Sequence, residues 1–207
     1  MENEFNELID ENISLRDNCN LCKESALEIG KKTDYGSFII LRIGSLGNGW
    51  FATLSPKTGS NPEKDFAIQL MPSAHITHFS QINSYPNLAE NYGIAFSKLS
   101  FAMSKVMALE DKNFKATSDS AKNAVSVATY GKCTTWKEKK EHLHIKIFPF
   151  RGSIGQPYTV DSSFGRKKIH KDATGEEFVK MKPVKKAMIG ADRLDKLARE
   201  LIELLKD

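Results

Sequence analysis

Polar and apolar residues alternate without a break from His142 to Ile147. That two-residue period predicts a β-strand, with Leu143, Ile145 and Ile147 on one face and His142, His144 and Lys146 on the other. Alternate residues of a strand stand about 7 Å apart, so two imidazoles and an ammonium form a row. Such a row can hold a metal, attack a phosphorus atom or neutralise a phosphate. A different period governs the middle of the chain. Leu88, Tyr92, Phe96, Leu99, Met103 and Val106 recur at helical spacing and predict an amphipathic helix over 87–108. Further strands are expected at 35–43, 50–54, 66–71 and 124–130, the third ended by Pro72. Residues 55–62 read as a loop because Pro56, Gly59 and Pro62 punctuate them; residues 131–141 read as a second loop. A short helix over 2–16 would lead into the first cysteines.

Past Arg151 the pattern changes again. Ile169 and Phe178-Val179 flank Asp172-Ala173-Thr174-Gly175, which predicts a hairpin with a four-residue turn. Asp192 is placed to cap a closing helix whose apolar face is Leu194, Leu197, Ala198, Leu201, Ile202 and Leu205. A helix set between antiparallel strands suits an α+β layer architecture. We expect one domain over 1–151 with a C-terminal extension, 152–207, packed on it.

Composition narrows the class. The chain has 207 residues, 40% hydrophobic and 27% charged, which suits a globular protein with an ordinary core. No apolar run approaches a membrane span, and residues 1–4 are acidic, unlike a signal peptide. Three cysteines, two of them spaced as Cys19-x-x-Cys22, point to metal or redox chemistry in a reduced compartment rather than to a disulfide framework. A cytoplasmic protein without membrane partners is therefore expected. The net charge of +4 is unevenly placed. Residues 1–29 are acidic, Lys137, Lys139 and Lys140 crowd the approach to the histidines, and 166–186 is rich in lysine. Basic patches favour anionic partners, nucleotides before nucleic acid; a solvated lysine-rich face is the plain alternative for the tail.

Cys19-x-x-Cys22 alone is compatible with a zinc half-site, a redox pair or chance. A closed zinc site needs four ligands, commonly two cysteines and two histidines. The chain offers His75, His78, His142, His144 and His170.

The run His142-Leu143-His144-Ile145-Lys146-Ile147-Phe148 resembles the signature strand of the histidine triad superfamily, with Lys146 in place of the third histidine. Pro149 and Arg151 resemble that family's strand exit, and Cys19-x-x-Cys22 and Pro72-Ser73-Ala74-His75-Ile76 precede it in the family's order. The resemblance spans residues 19 to 151. It implies a histidine triad-like fold, an antiparallel sheet with helices packed on it. It implies a structural zinc on Cys19, Cys22, His75 and His142. Against that set stand three alternatives from the residues themselves: His78 in place of His75, Cys133 in the shell, or no zinc, with His75 a surface residue starting a helix. The resemblance also implies that His144 is the nucleophile of a nucleotide hydrolase or nucleotidyl transferase, acting through a covalent nucleotidyl-histidine intermediate on a phosphoramidate, dinucleoside polyphosphate or nucleotide conjugate. Lys146 would contact the phosphate as a point charge, with Thr134, Thr135, Lys137 and Arg151 as substrate-binding candidates and Trp136 able to cover a base. A homodimer is expected from the resemblance alone. The competing reading is a non-catalytic nucleotide- or RNA-binding protein that keeps the zinc; a thiol–disulfide role for Cys19 and Cys22 ranks below both.

Overall fold

The computed structural model describes residues 17–58, 61–110, 125–130, 142–149, 164–171, 173–175, 177–183 and 187–206. The helix expected over 2–16, the loop over 131–141 and Arg151 lie outside them. The order is α1 (Asn20–Glu24), β1 (Phe38–Ile43), β2 (Trp50–Leu54), β3 (Lys57–Thr58), β4 (Ile68–Pro72), a 3₁₀ turn (Phe79–Ser84), α2 (Pro86–Glu110), β5 (Val125–Tyr130), β6 (His144–Pro149), β7 (Phe164–Lys171), β8 (Glu177–Pro183), β9 (Ala187–Met188) and α3 (Ala191–Leu204). Five strands form one antiparallel sheet in the order β1-β2-β4-β6-β5. The α+β class with an antiparallel sheet and packed helices is therefore observed. Among the described residues no helix is long and apolar enough to cross a membrane.

Both faces of the sheet are covered. Trp50, Ala52, Leu54, Ile68, Leu70, Ile145 and Ile147 pack with Leu88, Ala95, Leu99, Met103 and Val106 of α2 and with Leu194, Leu197, Ala198 and Leu201 of α3. Ile39, Phe51 and Met71 project to the other side, where they pack with Cys19, Leu21, Cys22 and, at the margin, Leu27. That is why β2 is buried at all five positions rather than at alternate ones. An irregularity between Ile39 and Leu41 resets the pleat of β1: Ile39 serves the small cluster, while Ile40 and Leu41 both serve the large one. The β1–β2 turn depends on glycine. Gly44 has φ +74°, and a Cβ on Gly49 would overlap the carbonyls of Ser45 and Ile43. The Trp50 indole nitrogen donates to the Leu88 carbonyl at 2.8 Å, tying β2 to α2.

Several expectations are corrected. The first strand starts at Phe38, not at residue 35, because Thr33–Gly36 forms a turn with Gly36 at φ +85°. Pro72 ends β4 from within the strand, and the strand begins at Ile68 rather than at residue 66. The supposed loop over 55–62 contains β3, which pairs with β9 near the C-terminus. Asp192 does not cap α3: Gly190 occupies that position and Asp192 sits in the first turn, where its negative charge complements the positive end of the helix dipole. Pro86 opens α2 at the first helical position, where the missing N–H costs nothing.

Candidate metal centre and histidine strand

The site is assembled from three segments. In α1, Cys19 is the N-cap residue and Cys22 lies three positions on, so one turn brings both sulfurs to the same side. The Lys23 N–H donates to the Cys19 carbonyl at 3.2 Å and the Ser25 hydroxyl to the Cys22 carbonyl at 2.7 Å, fixing that turn. The second segment follows β4. The Ser73 N–H donates to the Gly49 carbonyl at 2.8 Å, and the Leu143 N–H to the Ile76 carbonyl at 2.6 Å, so Ser73–Ile76 is held between the β1–β2 turn and the start of the histidine strand. The third segment is β6 with the two residues before it, in the interior of the sheet.

Cys19, Cys22, His75 and His142 are all buried, and their donor atoms lie within 4.8 Å of one another. The Cys22 sulfur is 3.4 Å from His75 Nδ1 and 3.6 Å from His142 Nδ1, and the Cys19 sulfur is 3.5 Å from His142 Nδ1. Zinc–sulfur and zinc–nitrogen bonds of about 2.3 and 2.05 Å at tetrahedral angles put sulfur and nitrogen about 3.6 Å apart. The observed contacts match the edges of that tetrahedron. Proton placement points the same way. His142 Nε2 lies 3.0 Å from the Pro72 carbonyl, which only accepts, so Nε2 carries a proton. In a neutral ring Nδ1 is then a lone pair, and it faces two sulfurs. The Cys19 thiol is pushed well below its usual range, chiefly by its hydrogen bond from Cys22 and next by His142, against the opposing effect of burial. Lone pairs therefore converge on one point. A single proton on His142 Nδ1 could satisfy one sulfur but not both; a cation satisfies all four donors. The cluster can hold a metal ion, and the Pro72 carbonyl orients its His142 ligand from outside. Burial raises the Glu24 carboxyl to about 7, with Asp34 and Cys19 adding to the effect.

The alternative ligands fare differently. His78 is exposed and closes a capping box on the 3₁₀ turn with Gln81, whose side-chain oxygen accepts from the His78 and Thr77 N–H groups at 2.9 Å each. His75 is buried, not a surface residue. Cys19 and Cys22 form no disulfide with each other.

The predicted alternation of the histidine strand is present. Leu143, Ile145 and Ile147 belong to the helix-side core, while His142, His144 and Lys146 occupy the opposite phase. His144 is 8% exposed, and its Nδ1 makes a long 3.5 Å contact with the His142 carbonyl. Lys146 is half-buried, opposite Gln69 of β4 and Ala128 of β5 in register. Thr134, Thr135, Lys137, Arg151, Cys133 and Trp136 lie outside the described residues.

Two residues near the row escaped the sequence reading. Gln69 is directly opposite Lys146, and Thr53 is opposite Gln69 with its hydroxyl buried and unpartnered among the described residues. The available signal was phase: Gln69 is the single polar residue between Ile68 and Met71. The Pro72 carbonyl had no signal, being backbone. Set against family models, curated proteins and solved structures, the chain matches none of them, so the meaning of this site rests on its own geometry.

Proposed function

We propose that the protein is a nucleotide hydrolase or nucleotidyl transferase with a structural zinc ion, its substrate a nucleoside phosphoramidate, a dinucleoside polyphosphate or a nucleotide conjugate. The observation that carries this reading is the phase of one strand. His142, a donor of the four-residue cluster, is followed at two-residue intervals on the same face by His144 and Lys146. A donor set of two thiolates and two imidazoles suits zinc, and because protein fills all four positions the ion's contribution would be structural: it would pin the α1 segment to the histidine strand.

In this reading the chain's own groups do the chemistry. His144 Nε2 attacks the phosphorus next to the nucleoside, the P–O or P–N bond to the leaving group breaks, and the nucleotidyl group is held on the imidazole until water or a second acceptor displaces it. The His142 carbonyl near Nδ1 favours the tautomer with the proton on Nδ1 and the lone pair on Nε2. Lys146 places a positive charge one strand repeat away, where it offsets charge on the non-bridging oxygens. A second reading, a non-catalytic nucleotide- or RNA-binding protein, draws on the same Lys146, which shuttles protons to a leaving group less readily than histidine near neutral pH. The main reading also places the protein in a reducing cytoplasm as a homodimer.

The deciding experiment is incubation with a panel of the three substrate types and analysis for released nucleoside monophosphate. Release by the native protein, with loss of turnover in a folded His144→Ala variant, is the expected result. Full activity in that variant removes His144 as nucleophile. No release from any substrate, with nucleotide binding retained, selects the second reading.

A further inference from the structure

The outer face of α2 is more apolar than a solvent-facing helix requires. Leu88, Ala95, Leu99, Met103 and Val106 belong to the core, so the opposite side should be polar. Instead Ile94, Phe101 and Leu109 are 42%, 55% and 68% exposed. Pro86, Glu90 and Lys105 are exposed as well. At about 100° per residue, these six fall within about 70° of one direction and form a single ridge. The Lys105 ammonium lies 5.1 Å from the centroid of the Phe101 ring, as neighbours on that ridge should. Scattered exposed apolar residues are ordinary, but a row of them rimmed by charge marks an interaction surface.

The ridge is its own complement. Its residues lie in pairs at equal distances from the midpoint between Ser97 and Lys98: Ile94 with Phe101, Glu90 with Lys105, and Pro86 with Leu109. In a two-fold interface residue i meets residue j while j meets i. Two antiparallel copies of α2 with the axis at that midpoint therefore set apolar against apolar at two pairs and acid against base at the third. A slip of one turn loses the match, since it sets Lys105 against Ile94 and Glu90 against Leu109. A parallel arrangement sets Glu90 against Glu90 and Lys105 against Lys105. Among the described residues neither Glu90 nor Lys105 forms an ion pair within its own chain. The charge pattern thus selects a second copy of this chain as the occupant.

We propose that two copies of the protein associate through the outer faces of α2, antiparallel, with the two-fold axis between Ser97 and Lys98. Phe101 of each copy packs on the partner's Ile94, and Glu90 of each pairs with the partner's Lys105. A crossing angle of about 20° keeps such ridges in contact along their length. With 25 residues α2 is about 37 Å long, so a ridge about 10 Å wide offers less than the ~800 Å² per copy of a standard interface. Association should therefore depend on concentration. A homodimer is expected from the family resemblance, but only these residues say which face forms it. The face is separate from the His144 row, so release of nucleoside monophosphate and dimerisation can each fail without the other.

The test is sedimentation velocity of the full chain over a concentration series reaching ~1 mM, the weak end of specific association. The native protein should pass from monomer to dimer. Lys105→Glu and Glu90→Lys should each weaken the dimer roughly tenfold, because the two-fold axis turns one like-charge contact into two. A mixture of those two variants should form a heterodimer of native affinity, since each chain then meets its complement. The double variant carrying both changes should self-associate like the native chain. Phe101→Asp should leave a monomer, and an unchanged circular dichroism spectrum separates loss of the dimer from loss of the fold. Rescue in the mixture and in the double variant supports the proposal. It is overturned if the native chain stays monomeric throughout, if Phe101→Asp dimerises like the native chain, or if the charge variants weaken association and neither combination restores it.

Discussion

Removing the metal should release one segment of the protein rather than unfold all of it. The stretch from Asn20 to Leu27 is tied to the sheet by few apolar contacts, with Leu21 buried and Leu27 at the margin of the small cluster. Fixing eight backbone residues costs about 8–16 kcal/mol at 1–2 kcal/mol each. Two leucines return about 3–6 kcal/mol even when counted as fully buried. The difference is of the size that a bound ion supplies, since structural zinc contributes about 10–16 kcal/mol in small peptides. The large core between the sheet and α2 and α3 contains none of the four donors. We therefore expect a strong chelator, or Cys22→Ala, to abolish hydrogen-exchange protection across 19–27 while β2, β4 and α2 stay protected. Cys22 is the sharper choice because its sulfur meets both His75 and His142. Metal analysis of protein prepared without chelators should find about one zinc per chain. If the segment stays equally protected in metal-depleted protein, the leucines suffice and the reasoning fails.

Lys146→Ala should cost about 2–4 kcal/mol of transition-state stabilisation, by analogy with a lost oxyanion donor, and Lys146→His should recover most of it; small, equal losses in single-turnover rates would remove the lysine from the catalytic row. Acid should release the metal and lower stability together. The folded-state pKa of Cys19 is depressed, so its contribution is fully present above the usual thiol range and is lost as pH falls toward the folded value, while protons compete for all four donors. A chromogenic chelator assay run beside thermal melts checks this, and a melting temperature that rises on acidification contradicts it.

What could be read from the sequence was what local periodicity controls. The alternation at His142–Ile147 and the helical spacing from Leu88 to Val106 both appear in the fold, because each pattern fits only one way of burying its apolar residues. Long-range pairing had no local signature: nothing in Lys57-Thr58 announces Ala187-Met188 as its partner. Spacing also could not separate His75 from His78. That choice is made by Gln81, which draws His78 into a capping box and leaves His75 to turn inward. Asp192 looked like a cap because its side chain suits the role, but the chain enters α3 two residues earlier, through Gly190.

The candidate site asks two different things of one strand. A metal centre needs donors that are buried and fixed, and a nucleophile needs a ring that substrate can reach. The two-residue period supplies both, because successive same-face residues lie about 7 Å apart along a strand that passes from the covered to the less covered part of the sheet. His142 is fully buried under α1, His144 is slightly open, and Lys146 is half-buried. The gradient follows from where α1 sits: its cysteines and Leu21 cover Phe51 and Met71, at the end of the sheet nearest His142. If the ion fixes α1 there, it also fixes the first residue of the row. Metal occupancy and the position of His144 are then mechanically linked through a single residue, Leu143, which is locked into the helix-side core and bonded to Ile76.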